Sequence, residues 1–184
     1  MKLSDKAEKR IEDVKALYPS KQSAAMVALY IVQEELGCLD ERAVAWVSEK
    51  AGLAPVHVQE LISFYSMYRQ KPLGKYHFQV CRTLSCAVRG SKKLSEALAH
   101  KFGTRPREVT PDGMFSFEEV ECLGSCGTAP MCQVNDCFFE KLTAAELLKI
   151  VDQIQKDKPN LSLSMIEDKL GEGLKGYSKS QVLG

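Results

Sequence analysis

Up to residue 70 the apolar positions recur every three or four residues, the spacing of helices with one buried face. Ser4 is placed to cap a first helix with Ala7, Ile11, Val14 and Leu17 inward, and Pro19 stops it. A second, longer segment begins at Ser20, carries Ala24, Val27, Ala28, Ile31 and Val32, and closes at Gly37. Asp40 caps a third with Val44, Val47 and Ala51, ending at Gly52. Pro55 suits the first turn of a fourth, with Val58, Leu61, Ile62 and Tyr65 inward. Short polar connections predict an antiparallel helical bundle over residues 1–73.

The period changes after Pro72-Leu73-Gly74. Tyr76, Phe78 and Val80 alternate with His77, Gln79 and Cys81, which predicts a strand. Helical spacing returns at Leu94, Ala97, Leu98 and Phe102, in a helix beginning near 87–90. Met114–Cys122 reads as a second strand whose alternation slips at Glu118-Glu119, where a bulge would account for it. Met131–Val134 and Cys137–Glu140 read as a hairpin turning at Asn135-Asp136. Thr143-Ala144-Ala145-Glu146 is a capping box opening a last helix with Leu147, Ile150, Val151 and Ile154 inward. The order β-α-β-β-α over residues 74–157 predicts a thioredoxin-like sheet with helices packed on it, so the fold class is α+β. Residues 158–184 carry no long apolar face and predict a C-terminal tail, flexible or ordered by a partner.

Composition narrows the function. The 184 residues are 45% hydrophobic and 27% charged, with a formal charge of +1. Positive and negative side chains balance within 1–73 and again within 74–157, so no polyanion such as nucleic acid is expected. No apolar run suits a membrane helix, and the polar start, Met1–Arg10, suits neither a secretory signal nor a transit peptide. The expectation is a cytosolic chain without membrane insertion, whose thiols stay reduced.

There are seven cysteines, an odd number, and four form two tight pairs. Cys81 and Cys86 are spaced C-x4-C and Cys122 and Cys126 C-x3-C, with 35 residues between the pairs. Four thiolates converging on one centre suit a [2Fe–2S] or [4Fe–4S] cluster, and equally a closed zinc site. Neither spacing is the C-x2-C of a zinc ribbon or of a thioredoxin-type dithiol. Gly124 and Gly127 let the main chain come close and leave amide N–H groups free for sulfur, while Arg82 and Arg89 add positive field. Cys38, Cys132 and Cys137, with His57, His77 and His100, read as ordinary packing or surface residues, and Glu118, Glu119 and Glu121 as a solvated acidic edge. No glycine-rich nucleotide fingerprint, Walker loop, Ser-His-Asp set or carboxylate pair is visible.

At Phe64-Tyr65-Ser66-Met67-Tyr68, Lys71-Pro72-Leu73-Gly74-Lys75-Tyr76-His77 and Glu121-Cys122-Leu123-Gly124-Ser125-Cys126-Gly127-Thr128-Ala129-Pro130-Met131, the sequence resembles the [2Fe–2S] subunit family of NADH–quinone oxidoreductases, respiratory complex I. The match continues through Val134-Asn135-Asp136 and Leu142-Thr143 and covers about residues 4–157. The resemblance implies a helical N-terminal domain followed by a thioredoxin-like [2Fe–2S] ferredoxin domain, with Cys81, Cys86, Cys122 and Cys126 as ligands of one binuclear cluster. It also implies an electron carrier that exchanges single electrons with the FMN of an NADH-oxidising partner subunit. That partner would bind FMN and NADH, beside further subunits of a peripheral arm on the cytoplasmic face of a bacterial inner membrane. NAD(P)-linked hydrogenases and formate dehydrogenases use similar subunits, and a zinc-stapled assembly protein is the rival of another class. Arg82-Thr83-Leu84-Ser85 departs from the Thr/Pro- or Gly-rich stretch expected between the first two ligands.

Overall fold

The structure is a computed structural model and describes residues 2–20, 22–161 and 179–183. It divides into two compact units, Met1–Pro72 and Leu73–Gly184.

The first unit is helical, as its apolar spacing requires. Helices α1 (Asp5–Ala16), α2 (Ala25–Leu36), α3 (Glu41–Ala51) and α4 (Pro55–Phe64) follow in order, each packed on its sequence neighbour. Ser4 and Asp40 cap α1 and α3 by accepting from the Ala7 and Ala43 amides, and Gly37 and Gly52 close α2 and α3 in the left-handed region. A 3₁₀ turn, Gln22–Ala24, begins the second segment before the α-helix proper. Leu17 does not face inward: α1 ends at Ala16, and Leu17 at its C-cap is 79% exposed. Beyond α4 the chain is tied back by a residue that apolar spacing does not reveal. Buried Gln33 donates to the Met67 carbonyl (3.1 Å) and accepts from the Arg69 amide (2.6 Å), while the Tyr68 hydroxyl donates to the Met26 carbonyl (2.8 Å).

The second unit holds a four-stranded sheet of order β2-β1-β3-β4, with β1 Tyr76–Cys81, β2 Phe115–Val120, β3 Cys132–Val134 and β4 Cys137–Phe139. The β1–β2 pair is parallel and the other two pairs are antiparallel. One face carries Tyr76, Phe78, Val80, Phe115, Phe117, Val134 and Phe139, all buried. A short helix, α5 (Leu84–Val88), precedes α6 (Ser91–Phe102), so the helical stretch begins earlier than the apolar spacing suggests. Leu94 and Leu98 of α6 join the core, as do Leu147, Ile150, Val151 and Ile154 of α7 (Ala144–Asp157). Burial on this scale stabilises by roughly 1.5–3 kcal/mol per large apolar side chain. The capping box at Thr143 and Glu146 forms as the sequence predicts.

No bulge interrupts β2. Its residues pair one to one with β1 from Tyr76↔Phe115 to Cys81↔Val120. The alternation slips because Glu119, in line with Phe115 and Phe117, is exposed where the strand nears its end. On the second face Ser116 is fully buried in a polar network. Its Oγ accepts from the Gly74 amide (2.9 Å) and lies 2.9 Å from His77 Nδ1, whose Nε2 is 3.1 Å from Glu118 Oε1. Gln79 and Arg107 also donate to Glu118, which is therefore no solvated edge. Of the expected tail, residues 162–178 lie outside the described residues. Pro159 accepts from the Tyr76 hydroxyl, and Leu161 packs on the core. Helix α8 (Lys179–Leu183) adds Val182 and Leu183 to it. Among the described residues no helix is long and apolar enough to cross a membrane.

Gly74 sits hard against the start of β2: a Cβ there would lie 2.4 Å from the Phe115 carbonyl carbon and 2.7 Å from the Ser116 nitrogen. Neither is a flexible side chain, so backbone must move. Gly74→Ala is expected to destabilise the second unit by about 1–3 kcal/mol in urea unfolding. Unchanged stability would show that the two backbones do not approach so closely.

Candidate metal centre

Parallel pairing brings the carboxyl ends of β1 and β2 to the same edge of the sheet. Cys81 is the last residue of β1, and β2 ends two residues before Cys122, so both cysteine-bearing loops leave from that edge. The first loop turns at once into α5, whose inner face carries Cys86. Leu84 and Val88 lie on its outer face, each 78% exposed. The second loop runs through Gly124, at φ +86°, into a 3₁₀ turn at Cys126–Thr128. That positive φ is the glycine requirement in this loop. Gly127 has an ordinary φ, and a Cβ there would meet no atom within 4 Å.

The four sulfurs sit together in two pairs. Cys81 and Cys86 hydrogen-bond one another, and the Sγ atoms of Cys122 and Cys126 are 3.4 Å apart. Thr83 joins the pairs: its hydroxyl is 3.1 Å from Cys81 Sγ and also bonds Cys122. Main-chain amides point at sulfur as the glycine-rich loop suggests. Gly124 donates to Cys122 (3.4 Å), Leu123 to Cys81, and Met131 to Cys86. Cys81 and Cys86 are buried over Ala129 and Met131, with Leu123 packed alongside, whereas Cys122 and Cys126 are exposed.

These contacts divide each pair. Burial opposes ionisation of Cys81, but bonds from Thr83, Cys86 and the Leu123 amide outweigh it and hold its thiol below the usual value. Burial, then the Cys81 contact, pushes Cys86 up to about 11. The Gly124 amide, with Cys126 and Thr83, lowers Cys122, and the bond from Cys122 raises Cys126. In each pair one thiol thus ionises more readily than the other.

The other residues that spacing and charge single out fall elsewhere. Cys132 lies fully buried in the sheet core, not in the loops, and burial raises its thiol. Cys137 is buried in the same core, and Cys38 belongs to the first unit. Arg82 adds little free positive field, because it is paired with Glu121 at 2.6 Å across the two loops. Thr83, Ser85 (bonded to Cys126) and Glu140 (bonded to Ser125 and Thr128) belong to the site, although spacing alone does not mark them.

The matched family model is that of the thioredoxin-like [2Fe-2S] ferredoxin, over residues 11–155. The chain belongs to this family. Among its curated relatives, NADH-quinone oxidoreductase subunit 2 of Thermus thermophilus is 42% identical over 151 residues, 80% of this chain and 83% of that protein. An NADH-quinone oxidoreductase subunit of Rhizobium meliloti is 39% identical, over 79% of this chain and 86% of its own. The mitochondrial NADH dehydrogenase [ubiquinone] flavoprotein 2 of Dictyostelium discoideum is 36% identical over 91% and 69%. A solved NAD+-reducing [NiFe]-hydrogenase shares the fold at TM-score 0.64 and 24% identity over 73% of this chain, which spans only 23% of the hydrogenase chain.

The donor set fits the family's cluster. A two-iron centre takes four thiolates, two to each iron, and two pairs with converging N–H donors are present. Among the described residues no three His, Cys, Asp or Glu side chains gather as they would around a single ion.

In the metal-free chain, Cys122 combines exposure with a lowered thiol pKa and so carries more thiolate at pH 7 than an ordinary cysteine. Brief iodoacetamide treatment is expected to modify Cys122 ahead of Cys126 and to leave Cys132 untouched, as read by peptide mass spectrometry. Modification of Cys126 first would contradict the assignment.

Proposed function

We propose that this chain is the [2Fe–2S] electron-transfer subunit of an NADH–quinone oxidoreductase, with Cys81, Cys86, Cys122 and Cys126 as the four ligands. The observation that carries the reading is that two cysteine pairs, separated by 35 residues, meet at one edge of the sheet in a member of this ferredoxin family. Relatives named as NADH–quinone oxidoreductase subunits, at 36–42% identity over most of the chain, support the respiratory context. A diaphorase subunit of an NAD(P)-linked hydrogenase is the second reading, and the shared hydrogenase fold favours it less because 24% identity speaks for the fold alone.

When bound, the cluster supplies one-electron chemistry. The chain's part is to make added negative charge tolerable. The Leu123, Gly124 and Met131 amides and the Thr83 hydroxyl point at ligand sulfur, and Ala129 and Met131 wall the inner pair from water. Such donors and burial set the potential. FMN and NADH belong to the partner subunit, which carries out the hydride step and passes electrons singly to this chain. The assembly lies in a peripheral arm at the cytoplasmic face of the membrane.

Docking on that partner uses the helical unit, where Phe64 is 80% exposed and Val56 and Met67 are also open. Phe64→Glu, alone and with Tyr65→Glu, is expected to abolish co-purification with a co-expressed flavin subunit while leaving iron content unchanged. A pair that still assembles would refute this docking face.

Alanine at any of Cys81, Cys86, Cys122 or Cys126 is expected to remove most of the iron and the visible absorption of the isolated protein, because cluster binding and local folding are coupled. Cys38→Ala should match the wild type. Equal iron loss at Cys38, or a colourless wild type holding one zinc, would overturn the ligand assignment.

A further inference from the structure

We propose that Glu140 is a positioning residue for the second cysteine pair, a carboxylate clamp that fixes the Cys122–Cys126 loop before any metal arrives. This rests on the reading of Cys122 and Cys126 as ligands and goes beyond it.

Glu140 follows β4 directly, between two residues anchored in the core, Phe139 and Leu142, both buried. One of its oxygens, Oε1, accepts from two hydroxyls, those of Ser125 and Thr128. Ser125 precedes Cys126, and Thr128 ends the 3₁₀ turn that Cys126 begins. Those bonds, Ser125 first, hold the carboxyl below the usual carboxylate range. The main chain just after Glu140 repeats the attachment. The Lys141 amide donates to the Thr128 carbonyl (2.8 Å) and the Leu142 amide to the Pro130 carbonyl (3.0 Å), with Lys141 at φ +48°. The ligand loop is therefore riveted to the end of β4 by two side-chain and two backbone bonds.

The loop needs such help. Its cysteines are exposed, and the Arg82–Glu121 pair at its start is solvent-exposed, a kind of contact that contributes little. A free loop must lose conformational entropy when its ligands bind, whereas a clamped loop has lost it already. The clamp also orients Ser125 and Thr128: with Glu140 accepting from both, and the Ser125 carbonyl (3.1 Å) sharing the Thr128 hydrogen, neither hydroxyl is free to donate to sulfur. Outer partners of this kind typically change metal affinity about 10- to 100-fold when removed.

The test uses the full chain, reconstituted with iron and sulfide, in five forms: wild type, Glu140→Ala, Glu140→Gln, Ser125→Ala/Thr128→Val, and Glu140→Ala with both. Iron release to a chelator is followed by absorbance, and amide hydrogen exchange of residues 122–128 is followed in the metal-free protein. Glu140→Ala is expected to release iron about tenfold faster and to speed exchange in the loop. Ser125→Ala/Thr128→Val should do the same, and combining them with Glu140→Ala should add less than about twofold, the mark of one shared interaction. Glu140→Gln keeps an acceptor oxygen and is expected to stay within about threefold of wild type. Wild-type behaviour of Glu140→Ala in both measurements, or full additivity, would overturn the clamp. If Glu140→Ala fails to fold, the hydroxyl variants and Glu140→Gln decide it. A wild type that takes up no iron would sink the ligand reading alone, since the exchange arm still judges the clamp.

Discussion

Everything at the candidate centre depends on the parallel pairing of β1 with β2. In an antiparallel pair, strand ends alternate between edges, and the residues after Cys81 and Val120 would leave the sheet on opposite sides. The parallel register, Cys81 opposite Val120, makes both chains turn at one edge. A parallel connection needs a long crossover, and α5 and α6 with the loop to β2 supply it. The wide gap in sequence between the pairs is thus the length of a crossover, and their nearness in space follows from the sheet. Binding groups beyond the carboxyl ends of parallel strands are a general habit of such sheets.

Two different sets of contacts hold that pairing. On one face the aromatic ladder of Tyr76, Phe78, Phe115 and Phe117 meets α6, with Phe102 stacked on Phe115 at 5.0 Å. On the other, a buried polar chain runs from the Gly74 amide through Ser116 and His77 to Glu118. Burial disfavours the Glu118 charge, yet bonds from His77 and Gln79 and the Arg107 cation outweigh it and keep the carboxyl below its usual range. A half-satisfied network here would be costly, and its satisfaction ties β1 to β2 along the face opposite the aromatic ladder. The thiols then inherit a rigid base on one side, with Cys81 and Cys86 buried, and an exposed pair on the other.

Much of this was legible in the residues. Caps at Ser4 and Asp40, closing glycines at 37 and 52 and the Thr143–Glu146 box are local devices, and each formed where local chemistry put it. The α+β class and the thioredoxin-like sheet followed from the change of period after Gly74. What escaped was tertiary. The slip at Glu118-Glu119 suggested a bulge because Glu119 takes the parity of Phe115 and Phe117, yet the pairing runs through it unbroken and Glu119 is exposed near the strand end; the bond between buried Ser116 and His77 left no mark in the spacing. The five residues of α5 are too few for a periodic signal, so spacing does not reveal the helix carrying Cys86. Arg82 read as free charge because its partner, Glu121, is distant in sequence. Glu140 had no signal at all: its role exists only where β4 ends beside a loop that comes before it in the chain.

One binuclear centre held by sulfur from both loops is tested most directly by electron paramagnetic resonance of the dithionite-reduced wild-type protein, with iron and acid-labile sulfide counted on the same sample. About two irons and two sulfides per chain are predicted, with a single S = 1/2 signal that integrates to one spin, the stoichiometry of a [2Fe–2S] centre. A reduced sample that stays silent and holds a redox-inert metal in place of iron would contradict it.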